Sequence, residues 1–449
     1  MVQALHENGI RVVMDVVYNH TYTGIGSNFQ KTVPNYYYRM KNGGFSNASG
    51  CGNEVASERA MARKYIVESV VYWATEYHID GFRFDLMGCL DKETMLAVRA
   101  ALDEVDPSII IYGEGWTSGD STLIANDRAL KASTYKLPGI AAFSDDIRDG
   151  LKGNVFNDLD KGFISGNLGL IESAKIGIVG ATDHAQTDYR THDKAIRWWA
   201  GAPTQTINYL SCHDNLTLWD KLATSNADDS IDDRIRMNKL GAAIVFTSQG
   251  IPFIQAGEEM LRSKPSDADP TVFDHNSYKS SDAVNSIKWD NKASVADVTD
   301  YYKGLINLRK AHGAFRLTTT EEVQNSLIFE EEAPEGVIVY SLLGSPNGEI
   351  AEKIYVIFNA NSEDVSVNLP GGEWDIIVNA EKAGTESLGK ATGSVTVEKI
   401  SAMILTSGLS EAGKAAAKTG APIWLFLVAG VAVVAIAAGV VVVARKKKN

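Results

Sequence analysis

Short apolar runs alternate with longer helical ones through the first 317 residues, and this alternation limits the fold more than any other feature. Gly9–Val17 reads as a buried strand, and a helix is expected from about Ser57 to Tyr77 with Ile66, Val70, Trp73 and Tyr77 on one face. Ile79–Leu86 is the next strand. Lys92–Val105 is a helix with Asp91 at its cap and Pro107 beyond its end. Strands follow at Ile109–Tyr112, near Gly139–Phe143, at Ile207–Cys212 and at Ile251–Ala256, with helices at Asp232–Thr247 and Val298–His312. Such an order makes a parallel sheet of βα units. The loop 18–54 is long enough to suggest a functional role.

The pattern changes further on. From about Thr320, segments such as Val337–Leu343, Lys353–Asn359, Asp364–Leu369 and Trp374–Asn379 run between Gly, Asn and Pro turns, which predicts an all-β domain. The expected organisation is a catalytic β/α portion over 1–317, a β-sandwich over 318–407, a linker over 408–420 and a membrane anchor over 421–449. Ile423–Ala444 has no charged residue and is followed by Arg445, Lys446, Lys447 and Lys448. That length spans a bilayer, and the basic end belongs on the cytoplasmic side. Net charge is −13, which excludes a global basic footprint for nucleic acid. Cys51, Cys89 and Cys212 are widely spaced and form no metal or redox motif.

Ionisable residues recur where the strands end. Asp15, Asn19 and His20 follow the first strand, Arg83 and Asp85 the second, Glu114 the third, and His213 and Asp214 the Ile207 strand. In a β/α barrel that end carries the active site. Converging carboxylates suit glycosidic chemistry, which needs a nucleophile and a proton donor. Arg83 shares a strand face with Asp85 and favours its ionised form, so Asp85 is the nucleophile candidate. Glu114 lies between two glycines with Tyr112 and Trp116 close by, and a dry aromatic surround would keep it protonated as the acid. Asp214 is a third carboxylate, suited to hold hydroxyls and the cationic transition state. Each residue alone also reads as a turn former, a cap or an ion pair. Their repetition at strand ends favours the site.

DVVYNH (Asp15–His20), GFRFDLMG (Gly81–Gly88), YGEGW (Tyr112–Trp116) and SCHDN (Ser211–Asn215) resemble the four conserved regions of the α-amylase family of glycoside hydrolases. Leu-Met-Gly after Asp85 is similar to type I pullulanases. So are NASGCGNE (Asn47–Glu54), NLTLWDKL (Asn215–Leu222), GEEMLRSK (Gly257–Lys264) and His275–Trp289. The resemblance runs from Met1 to Leu317. It implies a (β/α)8 TIM barrel, here incomplete because the family has two strands before DVVYNH, so the chain is expected to be N-terminally truncated. It implies Asp85 as nucleophile, Glu114 as acid/base and Asp214 as transition-state stabiliser. Substrate contacts would come from His20, Arg83 and His213, and Asp15 would brace the site. Trp116 is either a sugar-stacking platform or a core aromatic. Asn19 matches a calcium position of many amylases, so a structural Ca2+ is allowed, while the chemistry requires no cofactor. The implied activity is hydrolysis of α-1,6 bonds in pullulan, starch or glycogen-derived glucans with retention. The alternatives are an α-1,4-acting or dual-specificity enzyme of the same family and an inactive surface glucan-binding protein. The tail resembles a cell-wall sorting signal in which Ala416-Ala417 replaces Leu-Pro, which implies a cell-surface location with sortase and cell wall as partners.

Overall fold

The structure is a computed structural model and describes residues 1–189 and 198–419. Its described residues form two compact units, the first made of Met1–Ser144, Gly180–Asp183 and 198–207, the second of Asp145–Val179, 184–189 and 208–419. Packing therefore groups the residues differently from a boundary at 317.

The first unit is built on parallel strands β1 (Val13–Val16), β2 (Gly81–Phe84), β3 (Ile110–Gly113), β4 (Ala141–Phe143) and β5 (Thr206–Asn208), paired in that order through Ile207. Every residue of β2 is buried, the charged Arg83 included. Asp15 is level with Arg83, and Arg83 with Tyr112, so their side chains share a face. Helix α1 (Ala60–Glu76) buries Ala62, Ile66, Val70 and Ala74, a strict four-residue spacing. Trp73 and Tyr77, expected on that face, lie off it and pack on each other at 4.6 Å. Helix α2 (Lys92–Val105) has its predicted limits because Asp91 accepts the Thr94 N–H and closes its first turn.

The long loop after β1 is not loose. Phe29 and Tyr37 stack at 4.5 Å, and with Met40 and Phe45 they pack against buried Tyr38, Val55 and Ala62. Its charged centre is Glu54, fully buried, which accepts from Arg39, Ser46, Ser121 and the Ala48 N–H. Arg39 in turn reaches Glu58, Ser57 and the Cys89 carbonyl.

In the second unit, Val337–Leu343 and Ala351–Asn359 run antiparallel beside Ser401–Leu409 in a six-stranded sheet. A two-stranded pair, Val365–Asn368 with Ser394–Val397, accompanies it. Both faces of the large sheet are covered, which is why Val337–Leu343 is almost continuously apolar. Val337 and Val339 enter a core with Val367, Val397 and Trp374, while Ile338 and Tyr340 enter one with Leu240, Ile244 and Leu305. Residues 408–420, expected as a linker, contain a helix at Glu411–Thr419, favoured by its alanines and by a Lys414–Glu411 pair at 2.7 Å. The membrane segment and its basic tail lie outside the described residues, and so does Gly420 of the sorting motif. Among the described residues no helix is long and apolar enough to cross a membrane.

Candidate active site

Arg83 organises the site. Its side chain is buried, and its Nη1 donates to Asp15 Oδ1 at 2.8 Å and Asp85 Oδ1 at 3.1 Å, while Nη2 meets Glu114 Oε1 at 2.8 Å. The guanidinium also stands over the Phe143 ring at 5.9 Å. Burial by itself would lower the arginine's pKa, but the charges of Glu114, Asp15 and Asp85 outweigh it and hold the guanidinium well above its ordinary range. One cation thus gathers the carboxylates of three successive strands.

The backbone sets their heights. Asp85 N–H donates to the Val16 carbonyl and Glu114 N–H to the Phe84 carbonyl, so both acids leave the sheet one step past a strand end. Leu86 follows in the left-handed region at φ 38°, a conformation that costs a residue with a side chain roughly 1–3 kcal/mol. The turn aims the Leu86 N–H at Glu114 Oε2, 2.8 Å away. Gly88 completes it, since a Cβ there would lie 2.4 Å from the Trp116 carbonyl oxygen.

Glu114 is shielded from solvent, as its sequence surround suggested, but that surround is not simply aromatic. Arg83 Nη2 and the Leu86 N–H both reach its carboxylate. Trp116 is half-buried and packs against Ala48, Leu86 and Cys89.

Asn19 joins this group. Its Nδ2 donates to the Asp85 carbonyl and to Asp85 Oδ2, each at 2.8 Å, and its Oδ1 faces His20 Nδ1 at 2.6 Å. Among the described residues no three His, Cys, Asp or Glu side chains gather as a metal site. Asp15, Asn19, His20, Arg83, Asp85 and Glu114 thus form one connected set. Glu54, Asn53 and Arg39, which support the loop behind it, carried no chemical signal in the sequence beyond the NASGCGNE segment itself.

His213 and Asp214 belong to the second unit. Their side chains are more than half exposed, with Nε2 and Oδ2 3.5 Å apart. The loop that bears them starts at Ser211, whose Oγ donates to Glu258 Oε2 at 2.6 Å. Glu258 is buried with Tyr302 and Lys152 beside it, and burial pushes its carboxyl up to about 7 against the Ser211 hydrogen bond and the lysine charge. Burial and the Arg148 charge push Lys152 down to about 8. Because the folded chain holds the Glu258 proton more tightly than the unfolded one, this group's contribution to stability is full at acid pH and is lost as pH rises through about 7. Glu258→Gln should therefore gain in Tm relative to wild type as pH is raised from about 5 to about 8. Parallel Tm curves for the two proteins would show that Glu258 does not titrate in this window.

A parallel β/α sheet whose strand ends present carboxylates around one buried arginine, followed in sequence by an all-β domain, defines a protein of the α-amylase type. The family model "Pullulanase, all-beta domain" matches residues 323–382. The chain is 38% identical to pullulanase of Bacillus subtilis (strain 168) over 371 residues, 82% of this chain and 49% of that protein. Among solved structures, pullulanase from Bacillus acidopullulyticus superposes with a TM-score of 0.83 at 43% identity, covering 90% of this chain and 47% of that one. Pullulanase from Paenibacillus barengoltzii in complex with maltohexaose and α-cyclodextrin gives 0.82 at 42% identity, covering 91% and 60%. The chain belongs to the pullulanase family. It spans about half the length of the first two curated relatives it matches.

Proposed function

We propose that the chain is an α-1,6-glucan hydrolase working by double displacement with retention. The observation that carries this reading is the single buried Arg83 shared by Asp15, Asp85 and Glu114. Asp85 attacks the anomeric carbon while Glu114 gives a proton to the departing glucan oxygen. The glucosyl–Asp85 ester is then cleaved by water, which Glu114 deprotonates. Arg83 orients the nucleophile, and Asp15 braces Arg83. His20 and His213 contact the sugar, and Asp214 keeps the stabilising role that the SCHDN segment suggests. Specificity for the α-1,6 bond is supported by the family and by Leu-Met-Gly after Asp85. Display outside the cell, with sortase and cell wall as partners, is supported by the apolar run 423–444 and its basic end.

Incubation with pullulan tests the reading. Maltotriose is the expected product. Panose or isopanose would replace α-1,6 by α-1,4 cleavage. Retention of pullulan without new reducing ends would favour the binding-protein reading.

A further inference from the structure

Asn19 is fully buried between Asp85 and His20. The edge of its amide toward Asp85 meets a peptide carbonyl and a carboxylate oxygen. A peptide carbonyl has no proton to give, so only the NH2 edge satisfies it, and chemistry alone sets the rotation of the amide. Asn19 Oδ1 must then face His20 Nδ1, and does so at 2.6 Å. A carbonyl oxygen can only accept, so Nδ1 carries a proton whether the ring is charged or neutral. A neutral imidazole has one N–H, which leaves a lone pair on Nε2. Among the described residues Nε2 has no hydrogen-bond partner, and the ring is only half-buried.

The backbone around the ring is clamped on both sides. Val55 N–H donates to the Asn19 carbonyl at 2.9 Å. Asn53 accepts the Thr21 N–H at 3.0 Å and donates to the Thr21 carbonyl at 2.8 Å. Between Asn53 and Val55 lies Glu54, anchored on both oxygens. The NASGCGNE segment thus holds the residues on either side of His20, which explains a motif that the chemistry itself does not use.

We infer that Asn19 is a positioning residue that locks His20 in the Nδ1–H tautomer, so that Nε2 of the neutral ring accepts a hydrogen bond from a hydroxyl of the bound sugar. The sugar as ligand rests on the function proposed above, whereas the tautomer does not. The relay also ties the ring to the nucleophile candidate, because the amide that orients His20 is the one that donates to Asp85.

Long-range 1H–15N spectra of the full chain carrying 15N-histidine test it, at a pH about two units above the ordinary imidazole value. The His20 pair is assigned by its loss in His20→Gln. Wild type should show Nδ1 at a protonated shift and Nε2 at an unprotonated one, and Asn19→Ala should lose this preference or reverse it. A proton on Nε2 in wild type overturns the inference even if Asn19→Ala does not fold, and so does an unchanged tautomer in a folded Asn19→Ala. Maltotriose should move Nε2 and leave Nδ1 in place. Calorimetric binding of maltotriose without that movement overturns the acceptor role. Absence of any maltotriose binding, with the tautomer as inferred, tells against the glucan reading and leaves the relay standing.

Discussion

Asp85→Asn should lower reducing-end release from pullulan by roughly 10^4-fold while leaving the fold intact. The nucleophile must bring a negative charge to the anomeric carbon, and an amide cannot. The loss should fall on turnover because the covalent step disappears, whereas contacts from Arg83 and His20 to the bound glucan remain. Stability should change little. The Asp85 side chain is 25% exposed, and an amide oxygen there can still accept from Asn19 Nδ2 or Arg83 Nη1. Azide added to Asp85→Ala gives a second readout. It would displace the leaving glucan directly, with Glu114 protonating the departing oxygen, and yield a glycosyl azide of inverted configuration. Undiminished turnover in Asp85→Asn would remove Asp85 from the chemistry altogether, while a parallel loss of Tm would make its role structural.

The largest effect on stability is expected from Arg39→Met. Glu54 is buried without access to water, and Arg39 is its one cationic partner among the described residues. Removing one half of a buried pair strands the other charge, at about 3–5 kcal/mol. The Ser57, Glu58 and Cys89 contacts of Arg39 vanish with it. At 2–4 °C per kcal/mol for a unit of this size, Tm should fall by roughly 6–20 °C. Removing the charge of Glu54 as well, in Arg39→Met with Glu54→Gln, should recover much of that loss, since no buried carboxylate is then left unpaired. Thermal unfolding of the two variants decides the matter. A single variant within about 1 kcal/mol of wild type would mean that water or another group reaches Glu54.

The two predictions draw on different layers of the molecule. Asp85, Glu114, Arg83 and Asp15 were legible as candidates because each stands at the end of an apolar run, a position that depends on local pattern alone. The limits of α2 were legible for the same reason, since an Asp cap and a proline lie within a few residues of its ends. The buried face of α1 was read only in part. Trp73 and Tyr77 are large, mainly apolar side chains at helical spacing from Ile66 and Val70, and only the neighbouring elements decide which stripe is covered. The contact between Arg83 and Glu114 was not legible, because Tyr112 and Trp116 are the neighbours of Glu114 in sequence, whereas Arg83 reaches it from another strand.

By itself the sequence determined the strand–helix order, the all-β character of the later strands, the family, and which ionisable side chains stand where strands end. These follow from hydrophobic period, turn residues and contiguous motifs, all short-range properties. The tertiary structure alone decided that Arg83 serves three carboxylates and that Asn19 spends its amide on Asp85 and His20. It alone decided that Glu54 and Glu258 are buried acids. Partners such as Arg83 with Asp15 and Asn19 with Asp85 lie 68 and 66 residues apart in the chain. A hydrogen bond is a matter of ångströms, and only the register of parallel strands and the loops clamped above them bring such residues within that reach.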